Sequence, residues 1–304
     1  WQDFMLANMD YPAGDDGFIT SLRAEATQLL RRLQGRPSLA VLCGGSEVEQ
    51  QAAMLGLPRE VWSGPLVEQV LPELCERLAP GVPWWPSSPG GGTLPFHVNR
   101  GAGHYYGVGA YLRPLEDARR AEVRFASECL AFANVPDAAM VEEVLGPPES
   151  PERYALWKQR VPRDAGASWD FEDVRDHYVA RLFGVDPQAV RRTSMERYLA
   201  LGRVATGEVM AATIGEWRRA RSTCRGALVF LFRDLWPGAG WGVVDSHGGP
   251  KAAYYYLRRA MQPQGIAATD EGVNGLALHV VNETARPLAA GVSLTLYRND
   301  IPVG

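Results

Sequence analysis

The chain has 304 residues, of which 46% are hydrophobic and 22% charged, so it is long enough to bury a full core and lacks the composition of a disordered protein. Its formal net charge of −4, with both signs interspersed, excludes the basic stripe by which proteins neutralise nucleic-acid phosphates. No apolar run reaches the roughly 18 residues of a membrane-spanning helix, so we expect neither nucleic acid nor a membrane as a partner.

Four widely spaced cysteines form neither a CxxC motif nor a Cys/His group: Cys43, Cys75, Cys129 and Cys224. This spacing predicts no metal site and no disulfide framework, which favours a reducing compartment, and we expect a cytoplasmic protein. Trp1 stands where an initiator methionine would, so we also expect the sequence to begin inside a longer protein.

The first half of the chain alternates helical and strand patterns. Apolar residues at helical spacing predict a helix from Gly17 to Gln34, and the apolar run 39–42 predicts a buried strand that leads to Glu47. The further predicted elements are helices over 48–55 and 65–78, a strand end at 83–85, a helical turn over 116–121 and a strand that begins at 123 and leads to Glu128. Such alternation is typical of parallel β/α units.

The second half begins with a mostly helical stretch, predicted from Ser150 to Ala220. Its expected helices cover 171–183, 186–200 and 206–221, and they are followed by a buried strand over 226–232 and an amphipathic helix over 251–261. Beyond Pro263 the pattern changes to a period of two, which predicts half-buried antiparallel strands at 276–280 and 292–296. We therefore divide the chain into domains at 1–263 and 264–304.

Glu47 and Glu128 each follow a predicted strand, and a glycosidase needs two such carboxylates. A glycosidic bond breaks when one carboxylic acid protonates the leaving oxygen while a second carboxylate meets the charge that grows at the sugar carbon. The two groups stand about 5 to 5.5 Å apart in retaining enzymes and about 6.5 to 9.5 Å apart in inverting ones. Spacing along the sequence leaves both mechanisms open.

Together, five segments resemble glycoside hydrolase family 2, and within it the β-mannosidases. They are residues 1–12, 36–47, 83–89, 125–128 and 234–251, whose motifs include Trp-Gln-Asp-Phe-Met, Pro-Trp-Trp-Pro-Ser-Ser-Pro, Phe-Ala-Ser-Glu and Asp-Leu-Trp-Pro. The resemblance implies an α/β fold: strands 3–8 of a (β/α)₈ TIM barrel, followed by the start of an immunoglobulin-like β-sandwich. It also implies that Glu47 is the acid/base and Glu128 the nucleophile of a retaining mechanism, with their environments pushing the two pKa values apart.

The chain departs from the family pattern near the site. Leu42-Cys43-Gly44-Gly45-Ser46-Glu47 replaces Trp-Cys-Gly-Asn-Asn-Glu, so Ser46 stands where the family has an Asn that contacts the sugar 2-hydroxyl. Ala102 and Tyr106 replace an Asp and a Trp, while Phe230 and Arg233 replace a site-lining Trp and an Asn. Either a water or a neighbouring group replaces the contact of the family Asn with the sugar, or the activity and specificity differ from those of the family.

Aromatic and polar residues in the matching segments are candidates for contact with a sugar. The candidate substrate-binding residues are Trp1, Asp3, Ser46, Trp85, His104, Tyr106, Phe230 and Trp236. Core packing is the alternative for the aromatic residues, and a structural role is the alternative for His104. Asp234 and Lys251 are expected to hold together the loop after the last barrel strand.

The function expected from the resemblance is a retaining exo-acting hydrolase of terminal β-mannosides that needs no cofactor or metal. Other specificities of the family remain alternatives, namely β-glucuronidase, β-galactosidase and exo-glucosaminidase. A non-catalytic carbohydrate-binding protein and a subunit completed by a partner chain are further alternatives. The expected partners are a carbohydrate substrate and either the preceding part of the same protein or a second copy of the chain.

Overall fold

The structure, a computed structural model, describes residues 1–146 and 153–304. The predicted helical stretch that starts at Ser150 therefore begins outside the described residues.

Two small parallel sheets bear the two glutamates. The first has the order β1 (Gln2–Asp3), β2 (Leu42–Cys43) and β3 (Trp84–Trp85), and the second has the order β4 (Gly103–Tyr105), β5 (Ala126–Cys129) and β6 (Ala227–Val229). An isolated bridge between Gly90 and Ala102 joins the end of the first sheet to the beginning of the second. All neighbours within each of these sheets run parallel, so their carboxyl ends share one edge.

Helices connect most of the parallel strands. In the described residues they are α1 (Asp16–Leu33), α2 (Val48–Met54), α3 (Leu71–Leu78), α4 (Asp117–Arg120), α5 (Ala138–Leu145), α6 (Arg153–Gln159), α7 (Phe171–Phe183), α8 (Pro187–Thr193), α9 (Met195–Arg218) and α10 (Ala252–Ala260). A π-helical turn, Leu66–Val70, leads into α3. None of these helices combines the length and the hydrophobicity needed to cross a membrane.

The alternation of strands and helices gives a partial (β/α)₈ barrel of the expected class. Helix α1 illustrates how the sequence builds it: Asp15 caps its N-terminus by accepting a hydrogen bond from the Phe18 N–H. Its apolar stripe then buries Leu22, Ala26 and Leu30 against the first sheet. Burial of a leucine such as Leu30 stabilises the fold by about 1.5 to 3 kcal/mol.

The core has two apolar clusters, one for each sheet. The cluster around β1 to β3 includes Leu30, Leu42 and Leu71, and the larger cluster around β4 to β6 includes Phe132 and Tyr178. Cys43 and Cys129 are fully buried and pack as small apolar residues.

A buried ionic cluster holds α6, α7 and α9 together. Glu172 lies 3.1 Å from Arg175 and accepts hydrogen bonds from Tyr154 and Trp157, while Arg175 also donates to Tyr198 on α9. Burial by itself raises the pKa of Glu172, but the positive charge of Arg175 and the Tyr154 hydrogen bond outweigh that effect and lower it to about 2. The carboxylate is therefore ionised at neutral pH.

The predicted helix break between residues 200 and 206 is wrong. Helix α9 runs without interruption for 24 residues, and the break lies earlier, at Ser194, whose side chain caps α9 by accepting from the Arg197 N–H. Gly202 sits inside the helix and packs against the Arg175 side chain. The glycine thus permits close helix packing and does not end the helix.

A hairpin of β7 (Gln264–Asp270) and β8 (Leu276–Asn282) follows α10. Its small and polar face packs on α9, whereas the side chains of Ile266, Leu276, Leu278 and Val280 are exposed on the other face. Residues 292–296 form no strand, contrary to the prediction, and only short strands β9 (Tyr297–Arg298) and β10 (Ile301–Pro302) follow. The immunoglobulin-like domain remains a prediction.

Candidate active site

The end of strand β2 places Glu47 at the shared carboxyl edge. Ser46 forms backbone bridges to Ala7 and Ser88, and the Glu47 N–H donates to the Ser88 carbonyl at 2.6 Å. Glu47 has a φ of 61° just before helix α2, a left-handed conformation that is uncommon for a non-glycine residue. These contacts fix the direction in which its side chain leaves the backbone.

Two consecutive glycines, Gly44 and Gly45, allow the backbone before Glu47 to pack closely against the neighbouring segments. A Cβ atom at Gly44 would clash with the Pro86 carbonyl oxygen, and one at Gly45 would clash with the Leu6 carbonyl oxygen. The family asparagine replaced by Gly45 could therefore not be accommodated with this backbone.

Strand pairing brings Glu128 next to His104. The two residues are register partners in β5 and β4, and His104 Nδ1 lies 3.1 Å from Glu47 Oε1 and 3.5 Å from Glu128 Oε2. The His104 side chain is only 3% exposed, whereas those of Glu47 and Glu128 are 31% and 21% exposed. The imidazole is thus a buried bridge between two carboxylates that solvent can reach.

Each carboxylate oxygen of Glu128 accepts a hydroxyl hydrogen bond. Ser46 Oγ donates to Oε1 at 3.1 Å and the Tyr106 hydroxyl donates to Oε2 at 2.8 Å. Burial and the neighbouring Glu128 charge raise the pKa of Tyr106, so its phenol stays protonated and keeps donating at neutral pH. Two hydroxyls hold the Glu128 carboxylate in one orientation.

The pKa of Glu47 is lowered, chiefly by its hydrogen bond with His104 and against the effect of burial. The sequence led us to expect Glu47 to hold a proton at working pH. In the structure, the contact with His104 instead stabilises Glu47 as a carboxylate.

A pocket of about 330 Å³ opens beside both glutamates, within the roughly 300 to 1,000 Å³ of small-molecule sites. Besides Glu47 and Glu128 it is lined by Tyr106, Ala110, Tyr111, Ala131, Asp164, Trp169, Phe171, Phe230 and Trp241. A lining that combines carboxylates with aromatic rings suits a ligand ring with hydroxyl groups and C–H faces. A larger pocket of about 580 Å³ at the start of β6 contains neither glutamate.

The structure brings four of the predicted binding residues to this site. Tyr106 and Phe230 line the pocket, and Ser46, His104 and Tyr106 contact the carboxylates. Trp85 instead lines a separate pocket of about 420 Å³, and Trp236 is 53% exposed outside both pockets.

Trp1 and Asp3 bond to each other and do not line either pocket. The Trp1 indole donates to Asp3 Oδ1 at 2.7 Å and stacks on Phe125, which lies three residues before Glu128 in the chain. Asp234 and Lys251 form a buried ion pair, and Lys251 also donates to the Gly240 carbonyl at 3.2 Å. This pair holds the loop after β6, as expected.

Sequence reasoning missed the aromatic wall formed by Trp169, Phe171 and Trp241. Phe171 packs edge to face on Trp241, which packs in turn on Phe230. Trp241 lies inside a segment that carried the family resemblance, which was an available signal. Nothing in the local pattern of Trp169 and Phe171 distinguished them from core residues.

One group of side chains in the described ranges could also surround a metal ion. It consists of Glu47, His104 and Glu128, and one donor atom of each lies within 4.8 Å of the others. Their donor atoms are already used in hydrogen bonds among themselves and with neighbouring hydroxyls. We assign the cluster to proton chemistry on that basis.

Known proteins are similar to this chain in both sequence and fold. The chain is 28% identical to β-mannosidase B of Thermothelomyces thermophilus over 88% of its length, and 27% identical to β-mannosidase B of Aspergillus niger over 89%. The solved β-D-mannosidase of Dictyoglomus thermophilum matches 93% of the chain with 26% identity and a TM-score of 0.76.

The chain is β-mannosidase-like and resembles glycoside hydrolase family 2.

More distant structures agree in fold alone. The exo-chitosanase CsxA of Amycolatopsis orientalis matches 89% of this β-mannosidase-like chain with 14% identity and a TM-score of 0.55. No protein-family model matches. The chain spans about a third of the length of the curated relatives it matches, and 34% of the Dictyoglomus enzyme.

Proposed function

We propose that this chain forms the catalytic part of a retaining glycoside hydrolase that releases terminal β-linked mannose. The observation that carries the proposal is the approach of the Glu47 and Glu128 carboxylates to within 4.8 Å at one pocket. A retaining enzyme needs about 5 to 5.5 Å between its carboxyl groups, whereas an inverting enzyme needs room for a water between them. The short separation therefore favours the retaining mechanism.

In the proposed reaction, a Glu128 oxygen attacks the anomeric carbon and forms a glycosyl ester. The bond to the leaving oxygen breaks as Glu47 transfers a proton to that oxygen. In the second half, Glu47 takes a proton from water, and the resulting hydroxide equivalent displaces Glu128 from the sugar. Each glutamate ends the cycle in the protonation state in which it began.

The hydroxyls of Ser46 and Tyr106 would stabilise ionised Glu128 before attack. Both hydroxyls already donate to the carboxylate, so the nucleophile is oriented before the substrate binds. The side chains of Phe230 and Trp241 would pack on the sugar ring.

The leaving group has its own candidate location in the pocket of about 420 Å³. Its wall includes Glu49, which follows the proposed acid by two residues, and its aromatic side chains are Trp62 and Trp85. Arg59 lies over the Trp62 ring at 5.7 Å. Charged and aromatic groups of this kind suit a second sugar, so we propose oligosaccharides as the natural substrates.

The test measures hydrolysis by the complete polypeptide that carries this sequence. Aryl β-mannoside, β-glucuronide, β-galactoside and β-glucosaminide are compared, and the first is expected to be cleaved fastest. Glu128→Gln should abolish turnover, whereas Glu116→Gln, a change at an exposed position outside the site, should not.

Other outcomes discriminate the alternatives. Fastest cleavage of another glycoside would replace mannose as the sugar. Sugar binding without turnover by the wild-type protein would replace the hydrolase with a carbohydrate-binding protein. Release of the α-anomer as first product would contradict the retaining mechanism.

A further inference from the structure

A chain of buried hydroxyls lies behind His104, on the side away from the glutamates. His104 Nε2 is 3.1 Å from Ser88 Oγ, Ser88 Oγ is 2.6 Å from Ser127 Oγ, and Ser127 Oγ is 3.3 Å from the Gly103 carbonyl oxygen. Ser88 is 1% exposed and Ser127 is 7% exposed. Neither serine touches the candidate pocket.

The carbonyl at the far end sets the direction of every bond in this chain. A carbonyl oxygen can only accept, so Ser127 must donate its single hydroxyl hydrogen to Gly103. Ser127 then accepts from Ser88, and Ser88, whose hydrogen is used, can only accept from His104. The proton on this side of the ring therefore belongs to Nε2.

We infer that Ser88 and Ser127 are positioning residues that keep His104 protonated at Nε2, so that its Nδ1 is reserved for the proton it shares with Glu47. This inference rests on the proposed function for its catalytic meaning. Its structural part, the protonation of Nε2, stands independently of any activity.

The shared proton has two positions on the Glu47 side. With the proton on Glu47, the acid donates to bare Nδ1, and with the proton on Nδ1, the imidazolium donates to ionised Glu47. The hydrogen bond with His104 lowers the pKa of Glu47, which favours the ionised form of that carboxyl group. Among the residues that the structure describes, the charged or titratable groups in contact with His104 are Glu47 and Glu128, with Tyr106 bonded to Glu128.

The arrangement supplies a balanced proton route. The shared proton moves from Nδ1 to Glu47, and Glu47 gives it to the leaving oxygen, which leaves ionised Glu47 and neutral His104 with Nε2–H. When Glu47 later takes a proton from water, it returns a proton to Nδ1. The Nε2 proton does not move, because Ser88 holds it throughout.

The direct test is nitrogen NMR of the histidine-labelled protein. The chain has five histidines, so the His104 signals are assigned by their loss in His104→Asn. Long-range proton–nitrogen correlations from pH 5 to 8 should show Nε2 protonated throughout. A neutral His104 with the proton on Nδ1 and a bare Nε2 would overturn the inference.

A second test uses the leaving group as the readout. Ser127→Ala and Ser88→Ala should let Nδ1 hold its proton more tightly. Cleavage of alkyl glycosides, whose leaving group needs a general acid, should then fall by roughly tenfold or more. This loss is a part of the roughly 10²–10⁴-fold that acid–base catalysis supplies. Dinitrophenyl glycosides, whose leaving group needs little acid help, should change by less than about twofold. Ser38→Ala, at an exposed position, is the matched control.

The outcomes separate this inference from the proposed function. Equal losses on both substrates would indicate only a structural role for the serines and overturn the inference. No hydrolysis by the wild-type protein would refute the proposed function, and NMR would still decide the Nε2 assignment. Should the alanine variants fail to fold, the wild-type spectra provide the same decision.

Discussion

The Tyr106 hydroxyl donates a hydrogen bond to Glu128 Oε2 at 2.8 Å, from the residue that directly follows strand β4 to a residue of the neighbouring parallel strand β5. Tyr106→Phe removes this donor while leaving the ring in place. We expect kcat for an aryl β-mannoside to fall by roughly 10²-fold, as when one preorganised donor is lost from an active site. The thermal midpoint should change little, and Tyr255→Phe, at an exposed position of helix α10, is the control. Unchanged kcat would show that Tyr106 does not assist Glu128.

Gly45 offers a stability prediction tied to the geometry of the site. Gly45→Ala forces a Cβ against the Leu6 carbonyl oxygen, so the ends of β1 and β2 must separate. We expect the free energy of unfolding to fall by about 1 to 3 kcal/mol, the usual effect of overpacking. Urea denaturation measures it. Gly14→Ala, where a Cβ meets nothing within 4 Å, should be neutral, and equal effects would contradict the close approach.

The buried pair of Glu172 and Arg175 predicts a pH-dependent stability. Because the Glu172 pKa is lowered from 4.5 to about 2, its stabilising effect is present in full above pH 4.5 and disappears as the pH falls towards 2. Glu172→Gln should cost about 3 kcal/mol at pH 7, since it leaves Arg175 with one charge partner fewer in the core. The difference from wild type should shrink in urea melts at pH 3. Glu25→Gln is the exposed control, and a constant difference at both pH values would refute the assignment.

Trp62 tests the proposed location of the leaving group. We expect Trp62→Ala to lower kcat/KM for a mannose disaccharide by roughly tenfold, the effect of losing about 1.4 kcal/mol of binding to the transition state. An aryl mannoside, which fills less of that pocket, should be affected less than the disaccharide. Gln69→Ala, at an exposed position of the π-helical turn Leu66–Val70, serves as the control. Equal loss on both substrates would remove the leaving-group assignment.

The sequence predicted the parallel β/α order because each barrel strand is a short apolar run between helices with clear stripes. The strands themselves are shorter than the runs: 226–232 was predicted, but only Ala227–Val229 pairs. Tertiary packing decided the other differences. Gly202 looked like part of a helix break, yet it permits α9 to pack on Arg175.

At the site, the two glutamates could be selected from their positions after strands, but their shared partners could not. Ser46 and Glu128 are 82 residues apart in the chain, and their hydrogen bond depends on the register of the strands that carry them. The replacement of the family asparagine suggested a lost sugar contact. The structure adds that the serine hydroxyl is directed to Glu128.

The outward-facing row of Ile266, Leu276, Leu278 and Val280 has a practical consequence for handling the protein. These apolar side chains are exposed to water on the two-stranded hairpin of β7 and β8, whose strand edges are also exposed. Such surfaces promote association between molecules. Solutions of the isolated 304-residue chain should therefore turn cloudy at high salt and clear when detergent is added.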